Sequence, residues 1–383
     1  MSRWLIVAVF LLAATDLFAV RHVVFETDIY NRTFPLECQR NVVFSPFAAE
    51  VDCAVAAETL ETIPRANVVE AMGVLMELAG VYKPLLERYS CRTNGLSFVN
   101  ARGFCLPELR KTRTDCRQQL QRDYGAEVMP LYPAKGAECW FRAMMDGLME
   151  DFKLPHDVAF SPRYSYYDLV CLTFEWKDPF PTSNIRKLKF DALDGSNVEV
   201  QYLSDVRIAE TWDEREWMVL KLPLKDDCVF YALLPKGETT LARVREEFSS
   251  IEIESFITKT GEAPIGRYWK GPTVVVLPRL AIDCRVDFAE ALQFFKVPVS
   301  RLSKLMDETP VAECVQQVCF RLLEHGPNEV PLVAKRPEDQ VQITPESRRV
   351  ILNRPFAYFV YDVRTQTIPA AGQYTGVFGG FGK

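Results

Sequence analysis

The residue types that usually carry catalysis are sparse in this chain of 383 residues. Histidine occurs three times, at His22, His156 and His325. None stands at metal-ligand spacing from cysteines or acids. No Gly-x-Ser-x-Gly elbow presents a nucleophile. The glycine-rich end, Gly376 to Lys383, lacks the Ser/Thr and the following helix of a phosphate loop. The chain therefore gives no support to an enzyme, a cofactor or a metal. Chemistry of another kind gathers near the C-terminus. A polar, proline-bearing segment, residues 327–349, lies between Glu324-His325-Gly326 and Asn353-Arg354-Pro355-Phe356. Unpatterned loops of that length are usually functional or disordered.

Regular elements must hold this segment. Before it, Val318, Phe320 and Leu322 alternate with Gln317, Cys319 and Arg321, the period of a strand with one more buried face. After it, Tyr358 to Tyr361 is apolar throughout, as for a strand buried on both faces. Asn41 to Phe44 reads as a short strand, with Ser45 as N-cap and Pro46 at the first position of a helix running to about Leu60. Further helices are expected over Ala66–Leu78, Thr112–Tyr124 and Asp287–Phe295. Strands are expected over Leu96–Phe104, through Glu127-Val128-Met129, and over Leu169–Phe174, Val229–Leu234 and Val274–Leu277. Helices dominate the first third and strands the last, so the class is mixed α+β and not a regular βαβ series.

Met1 to Ala19 is expected to be a signal peptide. Arg3 supplies the positive end, and Trp4 to Ala14 is an apolar run too short to span a bilayer, which needs about 20 apolar residues. The mature chain is then secreted, with no membrane contact once the signal is removed. The 48% hydrophobic content is ample for a core, and the net charge of −6 gives no reason to expect nucleic acid. Eleven cysteines in an oxidising compartment should pair in part, and the odd count leaves at least one unpaired within the chain. Cys314 and Cys319, five apart on one strand, point to opposite faces and cannot bridge. Asn31-Arg32-Thr33 is a glycosylation acceptor. Arg110, Lys111, Arg113, Arg117 and Arg122 form a basic cluster that could make a weak contact with sulfated glycans, although a solvated face explains it as well.

Several motifs occur in an order and spacing that resemble the serpins, the serine-protease-inhibitor family. They are Asn41-Val-Val-Phe-Ser-Pro-Phe47, Leu96 to Phe104, Tyr124-Gly-Ala-Glu-Val128, Trp176-Lys-Asp-Pro-Phe180, Val229 to Lys236, Leu277-Pro-Arg-Leu280 and Asn353-Arg-Pro-Phe356 with Gly372. The likeness covers nearly all of the mature chain. It implies one domain over residues 20–383, an α+β fold with a large central sheet, further sheets and surrounding helices, and an exposed reactive-centre-like loop over 327–349. It also implies an extracellular serine protease as partner. There are departures. Ala48 and Gln316 stand where the family usually has the polar latch beneath the sheet, Asp168 stands where Asn is usual, and Glu175 precedes Trp176.

In the family, a cut loop enters the sheet as a new strand and traps the protease. Here the hinge reads Glu324, His325, Gly326, Pro327, Asn328, Glu329, Val330, Pro331. The family register turns Pro327, Glu329, Pro331, Val333 and Lys335 inward. Proline has no N–H for a ladder, and each orphaned buried partner costs about 1–3 kcal/mol. A one-residue slip would bring the more apolar Asn328, Val330, Leu332 and Ala334 inward. The bait bond falls near Gln340–Val341 counted from Glu324, or near Thr344 counted back from Pro355. Lys335-Arg336 suits a trypsin-like protease, but Pro337 disfavours that cut. The sequence thus points to a secreted serpin with an atypical hinge, acting as a binder or decoy substrate. The alternative is a working inhibitor that uses 327–349 as bait.

Overall fold

The computed structural model describes residues 23–74, 77–90, 95–107, 112–154, 163–213, 215–247, 267–298, 304–305, 311–326 and 329–378. Its helices are α1 (23–33), α2 (Pro46–Glu58), α3 (Thr62–Met72), α4 (Leu78–Ser90), α5 (Thr114–Tyr124), α6 (Ala134–Met144), α7 (Leu241–Glu247) and α8 (Ala289–Phe294). The strands are β1 (Val42–Phe44), β2 (Leu96–Leu106), β3 (Ala126–Pro130), β4 (Tyr164–Phe174), β5 (Arg186–Asp191), β6 (Asn197–Asp213) and β7 (Trp217–Pro223). They continue with β8 (Cys228–Pro235), β9 (Arg267–Pro278), β10 (Leu280–Asp287), β11 (Val311–Leu322), β12 (Arg348–Ile351), β13 (Phe356–Asp362) and β14 (Thr367–Tyr374).

The strands make two sheets among the described residues. One runs β10-β11-β4-β2-β3. The other runs β1-β14-β13-β8-β7-β6-β9-β12, with β5 paired to β6. Helix α2 touches both β14 and β4, and it is buried on nearly every side. Ser45 Oγ accepts from the Ala48 N–H at 3.3 Å and Pro46 opens the helix, as expected. Three acids on this buried helix each receive a tyrosine hydroxyl. Tyr82 donates to Glu50 at 2.7 Å, Tyr166 to Asp52 at 2.6 Å and Tyr124 to Glu58 at 3.1 Å. A carboxylate inside a core needs such donors, because an unpaired buried charge costs several kcal/mol, by a rough estimate.

Strand β11 divides its side chains as its alternation requires. Cys314, Val318, Phe320 and Leu322 enter the main core beneath the sheet, while Val315 and Cys319 enter a smaller core with Phe141 of α6. Some expected elements differ. The helix placed over 66–78 stops at Met72 within α3, because Gly73 adopts φ 68° and closes it with a left-handed cap, and α4 begins only at Leu78. Helix α6, not among the expected elements, is amphipathic, with Ala137 and Phe141 buried one turn apart, and the long strand β6 carries no clear period. β6 twists through 17 residues with an uneven burial pattern, so no single face repeats. Among the described residues no helix is long and apolar enough to cross a membrane.

Candidate functional site

Strand β11 pairs with β10 in the antiparallel sense and with β4 in the parallel sense. The β4–β11 ladder runs from Val311↔Tyr164 to Cys319↔Cys171 and Arg321↔Thr173. A parallel pair is slightly weaker per residue than an antiparallel one. An antiparallel strand placed between these two would make every ladder around it antiparallel. The chain leaving β11 at Leu322 is the segment positioned to supply it. In the structure the slot is closed, and residues 329–347 form no strand.

Beneath the slot, Gln316 ties β11 to the start of α2 and to β4. Its Oε1 accepts from Ser45 N at 2.7 Å, and its Nε2 donates to Ser45 O and to Asp168 Oδ2, each at 3.1 Å. Asp168 of β4 also accepts from Asn100 Nδ2 at 2.5 Å and lies 3.8 Å from Arg102 Nε. Arg102 stands equally far from Asp52, whose carboxyl is pushed well above its ordinary range by burial and by the neighbouring Asp168 charge. Gln316 satisfies both backbone groups of Ser45.

The hinge leaves the sheet through charged and steric contacts. Buried Glu324 pairs with Arg279 at 2.8 Å, and its carbonyl accepts from Phe180 N at 3.1 Å. His325 Nδ1 lies 2.8 Å from Gly326 O. A Cβ on Gly326 would collide with the Glu175 side chain, so a larger residue there would have to displace Glu175. Gly326 N donates to Glu329 Oε2 at 3.1 Å. Lys225 Nζ sits between Glu175, at 2.9 Å, and Glu329. Burial and the adjacent Glu329 raise Glu175. Glu329 is held below its ordinary value: burial opposes this, but the Lys225 and Gly326 hydrogen bonds outweigh it. Pro327 and Asn328 lie outside the described residues.

Beyond Pro331 the loop is fastened a second time. Thr182 N donates to Leu332 O at 2.8 Å, and Ser183 N to Val333 O at 3.0 Å. The Lys335 side chain is only 7% exposed, and its Nζ lies 2.6 Å from Asp178 and 2.7 Å from Asp205. Arg207 binds the same Asp205 at 3.0 Å and stacks 3.5 Å over the Phe180 ring. Ala334, Lys335, Gln340 and Val341 then border a polar cleft of about 350 Å³ with Pro181, Ser183 and Asp205. Val330 points to solvent at 91% exposure.

The proposed bait residues sit on the outer arc. Arg336 is exposed and paired with Asp339 at 2.8 Å, at the start of a short 3-10 turn, Pro337–Asp339. Gln340 Nε2 donates to Lys335 O at 3.2 Å, Val341 is half-buried beside the cleft, and Thr344 N donates to Ser347 Oγ at 2.8 Å. Sequence reasoning took Glu329 and Lys335 only as obstacles to insertion and missed their partners. Two signals were available. Glu175 departs from the family pattern, and Asp178 lies within the Trp176–Phe180 element.

The other candidate residues are separate from the loop. Asn31 lies within α1, half-buried, in the lining of a small cavity with Tyr30 and Arg245. Arg113 is exposed, Arg117 reaches Val128 O at 3.4 Å and Arg122 is paired with Asp123 at 2.7 Å, while Arg110 and Lys111 lie outside the described residues. The ten described cysteines are free thiols.

Residues 22–376 match the family model "Serpin (serine protease inhibitor)", and the chain belongs to that family. It is 22% identical to plasminogen activator inhibitor 1 of Bos taurus over 91% of this chain and 90% of that protein. It is 25% identical to antithrombin-III of Homo sapiens over 65% of this chain and 56% of that protein. Among solved structures, native tengpin, a thermophilic serpin, superposes with a TM-score of 0.79 at 14% identity, covering 94% of each chain. Native protease nexin-1, solved with heparin, gives 0.78 at 15% identity over 94% of this chain and 99% of that one. The fold is the expected α+β serpin fold.

Proposed function

We propose that this is a secreted serpin whose loop, residues 327–349, stays out of the central sheet. It then traps proteases poorly or not at all and acts as an extracellular binder or decoy substrate. The observation that carries this reading is Lys335, whose nearly buried side chain pairs with buried Asp205 and half-exposed Asp178. Insertion must pull its ammonium out of that pair and, in the family register, turn it into the sheet. Removing one partner of a buried pair costs about 3–5 kcal/mol. The Glu329–Lys225 contact is more exposed and adds at most about 1 kcal/mol. Pro331 would further interrupt the new ladder.

The leader Met1–Ala19 supports secretion. An extracellular serine protease is the partner that would cut the exposed arc between Arg336 and Thr344. The closed parallel slot at β4–β11 favours the alternative, a working inhibitor that uses the same loop as bait. A sulfated-glycan contact at 110–122 and a glycan on Asn31 are subsidiary proposals. Arg122 is already committed to Asp123, and Asn31 sits in a helix.

Incubation of the mature protein with a panel of serine proteases separates the two readings. Cleavage in the loop, no SDS-stable complex and no large rise in Tm after cleavage are expected. A stable complex with any protease sinks the non-trapping reading. In protein kept reduced with dithiothreitol, changing Pro327→Thr, Glu329→Ala and Pro331→Ala should restore insertion only in part. Adding Lys335→Ala should restore more, read as the Tm rise after cleavage.

A further inference from the structure

The slot carries two cysteines that no part of the loop mechanism uses. Cys171 lies on β4 and Cys319 on β11, and they are direct register partners across the parallel ladder. Both face the smaller core beside α6 and are nearly buried, at 3% and 8% exposure. Neighbouring strands run about 4.8 Å apart, inside the Cα separation of about 4.4–6.8 Å that a disulfide spans. Cys105 and Cys314, also buried, are register partners of Ser165 and Tyr166, so the ladders give them no cysteine opposite.

We propose that Cys171 and Cys319 form an intramolecular disulfide that staples β4 to β11 and bars any strand from entering between them. The thiolate of one of these cysteines displaces one glutathione thiolate from oxidised glutathione, giving a mixed disulfide. The thiol of the other then loses its proton, and its thiolate displaces the second. Two protein thiols are oxidised, and one glutathione disulfide is reduced to two thiols. The oxidant rests on the secretion reading, where a low-molecular-weight disulfide is present during folding. The lock itself acts on the slot whatever the hinge does. A covalent cross-link over the ladder must break before the strands part, which the non-covalent latch at Gln316 does not require.

The test uses the mature protein refolded in a reduced and oxidised glutathione mixture. Non-reduced peptide mapping is expected to show the Cys171 and Cys319 peptides joined and lighter by two hydrogens. Both thiols free, or either one linked elsewhere, overturns the proposal. The lock is then read with a synthetic acetylated peptide of alternating threonine and alanine, as long as the β4–β11 ladder. The oxidised protein should show no Tm rise with the peptide. The dithiothreitol-reduced protein, and Cys171→Ser or Cys319→Ser without reductant, should show one. Equal uptake or equal refusal by the linked and unlinked forms overturns the clamp. If a serine variant fails to fold, the reduced wild type gives the same reading. The protease panel does not enter this result, so the two proposals fail separately.

Discussion

The receiving slot and the loop that would fill it are held shut in different ways. The slot, β4 against β11, is closed from within by neutral and charged hydrogen bonds through Gln316 and Asp168. The loop is held from outside by ion pairs to another part of the body, Lys335 with Asp178 and Asp205, and Glu329 with Lys225. The slot side is dry and every Gln316 contact is short. The loop side grades from a buried clamp at Lys335 to a half-exposed contact at Glu329. Charge in a buried setting resists separation far more than charge near water. The two holds are thus of unequal strength along one loop, the stronger at Lys335.

Three changes break or sharpen this contrast, from the largest effect to the smallest. Asp205→Ala leaves Arg207 and Lys335 close together with one fewer buried acid. It should cost about 3–5 kcal/mol in denaturant unfolding and open residues 329–347 to limited proteolysis. Loss of stability without faster loop cleavage would show that Lys335 does not fasten the loop. Gln316→Leu acts on the slot. It strands the Ser45 N–H and should cost about 1–3 kcal/mol, with the loop as resistant to proteolysis as before. Faster loop cleavage in that variant would join the two regions and remove the contrast.

Glu329→Gln is the weakest change, at most about 1 kcal/mol at neutral pH. Its sign follows from the lowered carboxyl. Glu329 sits below its ordinary value of 4.5, so its stabilisation is complete above that pH and is lost as pH falls through the lower folded value. The gap in loop protection between wild type and Glu329→Gln should close under acid. Glu175, raised by burial, moves the opposite way and blunts the wild-type loss. A gap that widens as pH falls contradicts the assignment.

Much of the framework was readable from local patterns. Ser45 and Pro46 announce α2 because capping needs only neighbours in the chain. The alternation Val318, Phe320, Leu322 gives β11 its inner face because strand geometry alone imposes period two. The extent of β6 and the break at Gly73 were not readable, since each depends on packing and on one backbone angle. For the site, the sequence marked Pro327, Glu329, Pro331 and Lys335 as residues ill suited to a sheet interior. It could not say where the two charges go instead.

The sequence by itself determined the family and the position of the loop between β11 and β13. These follow from residue types and their order. Only the tertiary structure decided that Lys335 meets Asp178 and Asp205, that Gln316 reaches Ser45 across 271 positions, and that Cys171 stands opposite Cys319. Ion pairs, latches and disulfides act over a few ångströms. Which residues come that close is set by sheet register and packing, and no spacing along the chain records it.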